Sequence, residues 1–243
     1  MQPDALAPLL QLPGVAAASD QARDALGRVH RHRANLRGWP ASAAEAALRA
    51  ARASSVLDGG AGTTTDPLFA AALRVAHALE GGQSNLVGVW RRAPLQALAR
   101  LHMLAAAGYV DDDQLGRPRA GQDVGPRLEL LAEVVTSATA VPAPVVAAVA
   151  HGELLAVAPF GSMDGVVARA VSRLVTIASG LDPHGLGVPE VYWMRRAADY
   201  RDAARGFAGG MSDGVAAWLV LSCRALKAGA QEALSIAEAV AAR

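Results

Sequence analysis

Between two apolar runs, Val145 to Val157 and a second that begins at Val166, lies the segment Ala158-Pro159-Phe160-Gly161-Ser162-Met163-Asp164-Gly165-Val166-Val167-Ala168-Arg169. These residue types and spacings suit the holding of phosphate. A turn that opens a helix points free backbone N–H groups and the positive end of the helix dipole at whatever lies in front of it. Gly161 and Gly165 permit close backbone approach. Arg169, with Arg173 one turn beyond, offers a guanidinium suited to bidentate phosphate contact. Ser162 and Asp164 add a hydroxyl and a carboxylate. The segment has no proton acceptor at Ala158, and Ser162 alone is a poor ligand for a hard cation. A plainer reading of the same residues makes Asp164 the N-cap of a helix that begins near Val166. On that reading Arg169 is a surface arginine of the same helix.

The elements that must position this segment are helical. Hydrophobic residues make up 52% of the 243, alanine dominates and aromatics reach only 4%. Alanine is the best helix former, and few stretches show the alternation of strands. The expected fold class is therefore all-α. Helices are expected over 20–36, 43–53 after Pro40, 68–79, from Pro94 to near Gly108, 128–137, from Pro142/Pro144 to Val157, 166–178, 190–207 and 212–240. Asp66-Pro67 is a start signal, and Gly81-Gly82 is a stop. Residues 1–18 read as a loose or partly helical tail. Gly59, Gly60 and Gly62 break the chain, which divides it into an N-terminal helical region, 1–62, and a helical domain, 63–243.

The segment resembles the signature of the Fic (Fido) family, His-Pro-Phe-x-x-Gly-Asn-Gly-Arg-x-x-Arg, without a gap. Pro159, Phe160, Gly165 and Arg169 match. Ala158 stands at the catalytic His, Met163 at the first Gly, Asp164 at the Asn and Val166 at the first Arg. Four further stretches are similar to parts of the family. His151 lies seven residues before the catalytic position, as a His often does there. Leu98 to Leu104, with His102, looks like the early Leu-His helix. Gly116-Arg117-Pro118-Arg119 to Val124 looks like the start of the β-hairpin flap. Ser54 to Gly59 resembles the inhibitory motif, with Asp58 where the family has Glu. The resemblance spans roughly residues 50 to 225 and implies a Fic-like helical bundle with a reduced flap between Tyr109 and Pro126.

The resemblance implies AMP transfer from ATP, with Mg²⁺, onto a protein hydroxyl, and the departures argue against it. Loss of a general base costs roughly 10²–10⁴-fold. His151 lies two helical turns away, about 10 Å along the axis, and reads better as a packed histidine. The expected function is thus a catalytically degenerate binding or regulatory module. At most it holds a nucleotide or phosphate weakly through Gly161, Ser162, Asp164, Gly165 and Arg169. The alternative is an unorthodox nucleotidyltransferase that uses ATP and Mg²⁺ with substrate-assisted or water-mediated proton removal. No metal ligand set is expected, and Asp111-Asp112-Asp113 reads as solvated. With Val166 replacing an arginine and Asp58 shorter than Glu, the inhibitory pairing is expected to be gone, leaving Ser54 and Asp58 as helix-end and turn residues.

The expected partner is a protein, with a homo-oligomer or oligomerising scaffold built on the last two helices as a further reading. A net charge of +1 gives no global pull toward nucleic acid or membrane. Arg28-Val29-His30-Arg31-His32-Arg33, with Arg37, is the most basic stretch and reads as a solvated helix face. The lone cysteine, Cys223, excludes an intramolecular disulfide and gives no oxidising-compartment signal. With no spanning-length apolar run and no signal-peptide pattern, a cytoplasmic location is expected.

Overall fold

A computed structural model describes residues 4–80 and 85–242. The Gly81-Gly82 stop and the ends of the chain lie outside them. The described residues form a helical fold: α1 (Val15–Arg31), α2 (Asn35–Leu57), α3 (Pro67–Leu79), α4 (Asn85–Arg92), α5 (Pro94–Ala106), α6 (Val124–Thr136), α7 (Ala143–Val157), α8 (Asp164–Ala178), α9 (Pro189–Arg195), α10 (Ala197–Ala208) and α11 (Ser212–Ala241). A 3₁₀ turn covers Ala7–Gln11. No helix among the described residues is long and apolar enough to cross a membrane.

Helix α7 lies at the centre because it is apolar on every side. Val145, Ala147, Ala148, Ala150, His151 and Leu154 are all buried, which a surface helix would not tolerate. It packs against α8 through the loop that carries the Fic-like residues, and α10 and α11 cover its other side. The N-terminal helices join the same body, α1 against α11 and α2 against α3 and α9. Gly152 permits the closest of these contacts. A Cβ there would stand 2.6 Å from Trp218 Nε1 and 2.8 Å from Phe207. Trp218 in turn donates to the carbonyl of Ala148 at 2.8 Å.

Several expected boundaries are corrected. Helix α1 starts five residues earlier than the pattern suggested, behind Gly14, and ends at Arg31, where His32 turns extended. Helix α2 does not begin at Pro40 but runs through it from Asn35. Pro40 and Leu36, whose carbonyl loses its helical donor at Pro40, are both exposed near the helix start. Helix α4 was not anticipated; eight residues are too short to stand alone, and burial of Leu86 and Trp90, one turn apart, holds it. The expected helix over 190–207 is two, broken at Arg196 (φ −125°, ψ 42°). The expected flap between Tyr109 and Pro126 is turns without a strand among the described residues; an isolated bridge, Ala107 to Val110, lies at its edge. The Asp66 cap stands as read: its Oδ1 accepts from the N–H of Leu68 at 2.9 Å.

Candidate functional site

The loop between α7 and α8 adopts a constrained backbone at two residues that are not glycine. Ala158 ends α7 in the left-handed region (φ 45°), and Met163 precedes α8 in the same region (φ 55°). L-residues pay for this conformation through Cβ contacts with the backbone. The surrounding contacts must therefore hold it. Arg119 does much of this: its Nη2 donates to Val157 O and its Nε to Ala158 O, each at 2.8 Å, and its backbone N–H donates to Pro159 O at 2.8 Å. A guanidinium on the last carbonyls of a helix is doubly favourable, through hydrogen bonds and the dipole. Replacing Ala158 by Gly should remove the strain and raise stability by about 1 kcal/mol, measured by urea unfolding; a loss of stability would contradict the strain.

Phe160 stacks on His102 of α5, with ring centroids 4.0 Å apart and 5° between planes. His102 Nδ1 accepts from the N–H of Gly116 at 3.0 Å, so Nε2 carries the ring proton and donates to Ser162 Oγ at 3.2 Å. Burial pushes the pKa of His102 down, which keeps it neutral. This tautomer has no lone pair facing Ser162. The pair is therefore a structural bond and not a nucleophile with its base.

Asp164 is not the cap of α8. It is the first helical residue, and Met163 occupies the cap position without a side-chain bond. The carboxylate turns back to accept from the N–H of Phe160 at 2.9 Å, which ties the loop to the helix start. Burial raises its pKa against the pull of that bond. The left-handed turn at Met163 is what moves the helix start to Asp164.

Arg169 is buried, 2% exposed, and its donors are used inside the protein. Nε donates to Ser54 Oγ at 2.8 Å, and Nη2 to Ser54 O at 3.1 Å and Asp58 Oδ2 at 2.6 Å. Nη1 reaches the Tyr200 hydroxyl at 3.5 Å. Burial opposes its charge, but Asp58 and Tyr200 more than offset this and hold the guanidinium firmly protonated. The reading of Arg169 as a surface residue is thereby corrected. So is the expected loss of pairing with the segment at Ser54 and Asp58. Val166 removed one arginine, but the carboxylate found the other.

Gly165 makes the pairing possible. A Cβ there would lie 2.6 Å from Asp58 Oδ1 and 2.8 Å from Oδ2. Asp58 thus sits against the first turn of α8, where the helix dipole favours an anion. Next to it, a cavity of about 20 Å³ lies under Ser54, Val166, Arg169, Arg173 and Glu190. That is room for one water. Arg173 is also engaged, donating to Gly185 O at 2.8 Å and to the buried Glu190 at 3.1 Å.

Tyr200, which the sequence did not single out, links Arg169 to His151. Its oxygen accepts from Arg169, so its proton goes to His151 Nε2 at 2.8 Å. That leaves the proton of the neutral imidazole on Nδ1, which is buried and has no partner among the described residues. Trp193 and Trp218 meet the ring edge-on at 4.7 and 5.0 Å. Burial first, and the charge of Arg169 second, push the His151 pKa well below its usual value. His151 is enclosed by Tyr200, Trp193 and Trp218. The break at Arg196 explains how Trp193 and Tyr200 reach one ring: seven residues of unbroken helix would separate them by about 10 Å, yet their ring centroids lie 5.7 Å apart.

The structure therefore brings Ser54, Asp58, Gly165 and Arg169 together, and Ser162 and Asp164 into the loop's own bonding, while Gly161 is exposed at its tip. Ala158 presents only a methyl group. Among the described residues no cluster of three or more His, Cys, Asp and Glu is arranged to hold a metal. For Mg²⁺ the fit is poor, since the one carboxylate in the loop accepts from Phe160 N–H and Ser162 binds His102.

No family model matches the sequence, and no curated protein matches it. Among solved structures, the chain is similar to a Fic family protein from Desulfovibrio desulfuricans G20, with a TM-score of 0.64 and 18% identity. The likeness covers 92% of this chain and 74% of that one. The fold is Fic-like and all-α.

Proposed function

We propose that this Fic-like protein does not transfer a nucleotidyl group and acts as a binding or regulatory module. The carrying observation is the closed pairing of Arg169 with Ser54 and Asp58 over Gly165. The cation that would meet a phosphate already has its anion, and that anion occupies the start of α8. Two observations support the same reading. Ala158 offers nothing to accept a proton, and the nearby histidines are committed elsewhere, His102 with the wrong tautomer and His151 within an aromatic cage. On this view residues 1–62 supply the segment that closes the anion site of residues 63–243. The module's partner is a protein, and nucleotide binds weakly or not at all.

Incubation of the purified protein with α-labelled ATP, Mg²⁺ and a cell extract tests the proposal. The expected result is no label on any protein, and no heat in calorimetry with ATP up to millimolar concentration. Labelling would overturn the proposal, and micromolar Mg²⁺-dependent binding would favour the nucleotidyltransferase alternative.

A further inference from the structure

We propose that the corner between α1 and α2 docks on an anionic lipid surface. The net charge of +1 hides a strong segregation. No Asp or Glu lies between Asp24 and Glu45, whereas Arg28, Arg31, Arg33 and Arg37 do, which leaves the rest of the chain with a net −3. All four arginines are exposed, and none makes an ion pair or side-chain hydrogen bond among the described residues. Several arginines elsewhere are paired, Arg49 with Glu45 and Glu232, Arg127 with Glu153, Arg169 with Asp58 and Arg173 with Glu190, and those exposed without a partner, such as Arg92, Arg100 and Arg224, are scattered and not gathered in one acid-free stretch. Of the four, Arg31 lies beside Asp20 and Asp24 in a recess on α1, so the free charge concentrates at Arg28, Arg33 and Arg37.

The shape of the corner selects the partner. Leu36, Arg37 and Pro40 share one side of the first turns of α2, Arg33 lies in the turn just before that helix, and all four are exposed. Around the helix from them Asn35, Ser42 and Ala46 are buried. Leu36, 67% exposed, is therefore an aliphatic side chain next in sequence to Arg37 and three residues after Arg33 in the preceding turn. A side chain of this kind gains by entering the headgroup–acyl boundary while its neighbours meet lipid phosphates. A nucleic-acid backbone would use the arginines but has no place for the leucine. Three free basic residues with one aliphatic anchor suit reversible attachment and not insertion.

Co-sedimentation of the full chain with phosphatidylcholine vesicles, with and without phosphatidylserine, tests the proposal. The protein should sediment only with phosphatidylserine present, and less as salt rises. Each arginine removed should lower partitioning about five-fold, so R33A/R37A should lower it about twenty-five-fold. Leu36→Ala should lower it several-fold while leaving the salt dependence unchanged. Arg205→Ala, on an exposed arginine paired with Asp202 in α10, should have no effect. Circular dichroism confirms that these surface variants fold. No sedimentation with phosphatidylserine, or equal sedimentation of R33A/R37A, would overturn the proposal. So would retention on duplex DNA as strong as on vesicles with Leu36→Ala neutral in both.

Discussion

Replacing Asp58 by Ala is expected to destabilise the protein by roughly 3 kcal/mol. The substitution leaves the Arg169 guanidinium buried without its anion, and breaking a buried pair from one side typically costs 3–5 kcal/mol. The lower end applies because the Asp58 side chain is 26% exposed, against 2% for Arg169. Ser54 and Tyr200 remain as neutral acceptors and cannot balance the charge. Asp58→Asn, which keeps an acceptor oxygen, should cost less. The double variant D58A/R169M should lose less than the sum of its parts, since it removes both charges. Urea unfolding of the four proteins measures the coupling. A loss below about 0.5 kcal/mol for D58A would make the pair an ordinary surface contact, and with it would go the main support for a closed anion site.

The second large effect is on acid stability. His151 in the folded protein has its pKa far below the unfolded value of 6.5. Below that value the unfolded chain binds a proton that the native state refuses. Stability therefore falls as pH drops from about 6.5 toward the folded pKa, with a slope approaching 1.4 kcal/mol per pH unit for this one residue. Above pH 7 the contribution is constant. In His151→Gln, which retains an acceptor for the Tyr200 hydroxyl, the profile between pH 4.5 and 6.5 should be shallower by about one proton's slope. The variant keeps some acid sensitivity because burial also lowers the pKa of His102 and His184. Parallel profiles for the two proteins would mean that His151 titrates normally.

Much of the fold was legible because its causes are local. The Asp66 cap, the proline starts at Pro67 and Pro94, and the alanine-rich runs act over a few residues, which a linear reading captures. Errors arose where burial overruled a local signal. Pro40 reads as a helix start, yet α2 passes through it, with Asn35 buried before it and Ser42, Ala43 and Ala46 buried after it. The octamer α4 reads as a connection, yet Leu86 and Trp90 have a core to enter. At Arg196 a helix that looks continuous breaks, and Trp193 and Tyr200 converge on His151.

The site divides the same way. The sequence by itself determined the all-helical class, the order of the Fic-like residues, and the absence of a proton acceptor at position 158. These follow from residue identity and spacing. Only the tertiary structure decided what the retained residues do. Asp58 and Arg169 are 111 positions apart, and nothing local could show that they meet. Asp164 turns to the loop and not to its helix because Met163 takes a left-handed backbone that its neighbours enforce. Tyr200 carries no motif, yet it joins Arg169 to His151. Charge pairing, tautomer and burial belong to the packed state, since each depends on which distant groups exclude water together.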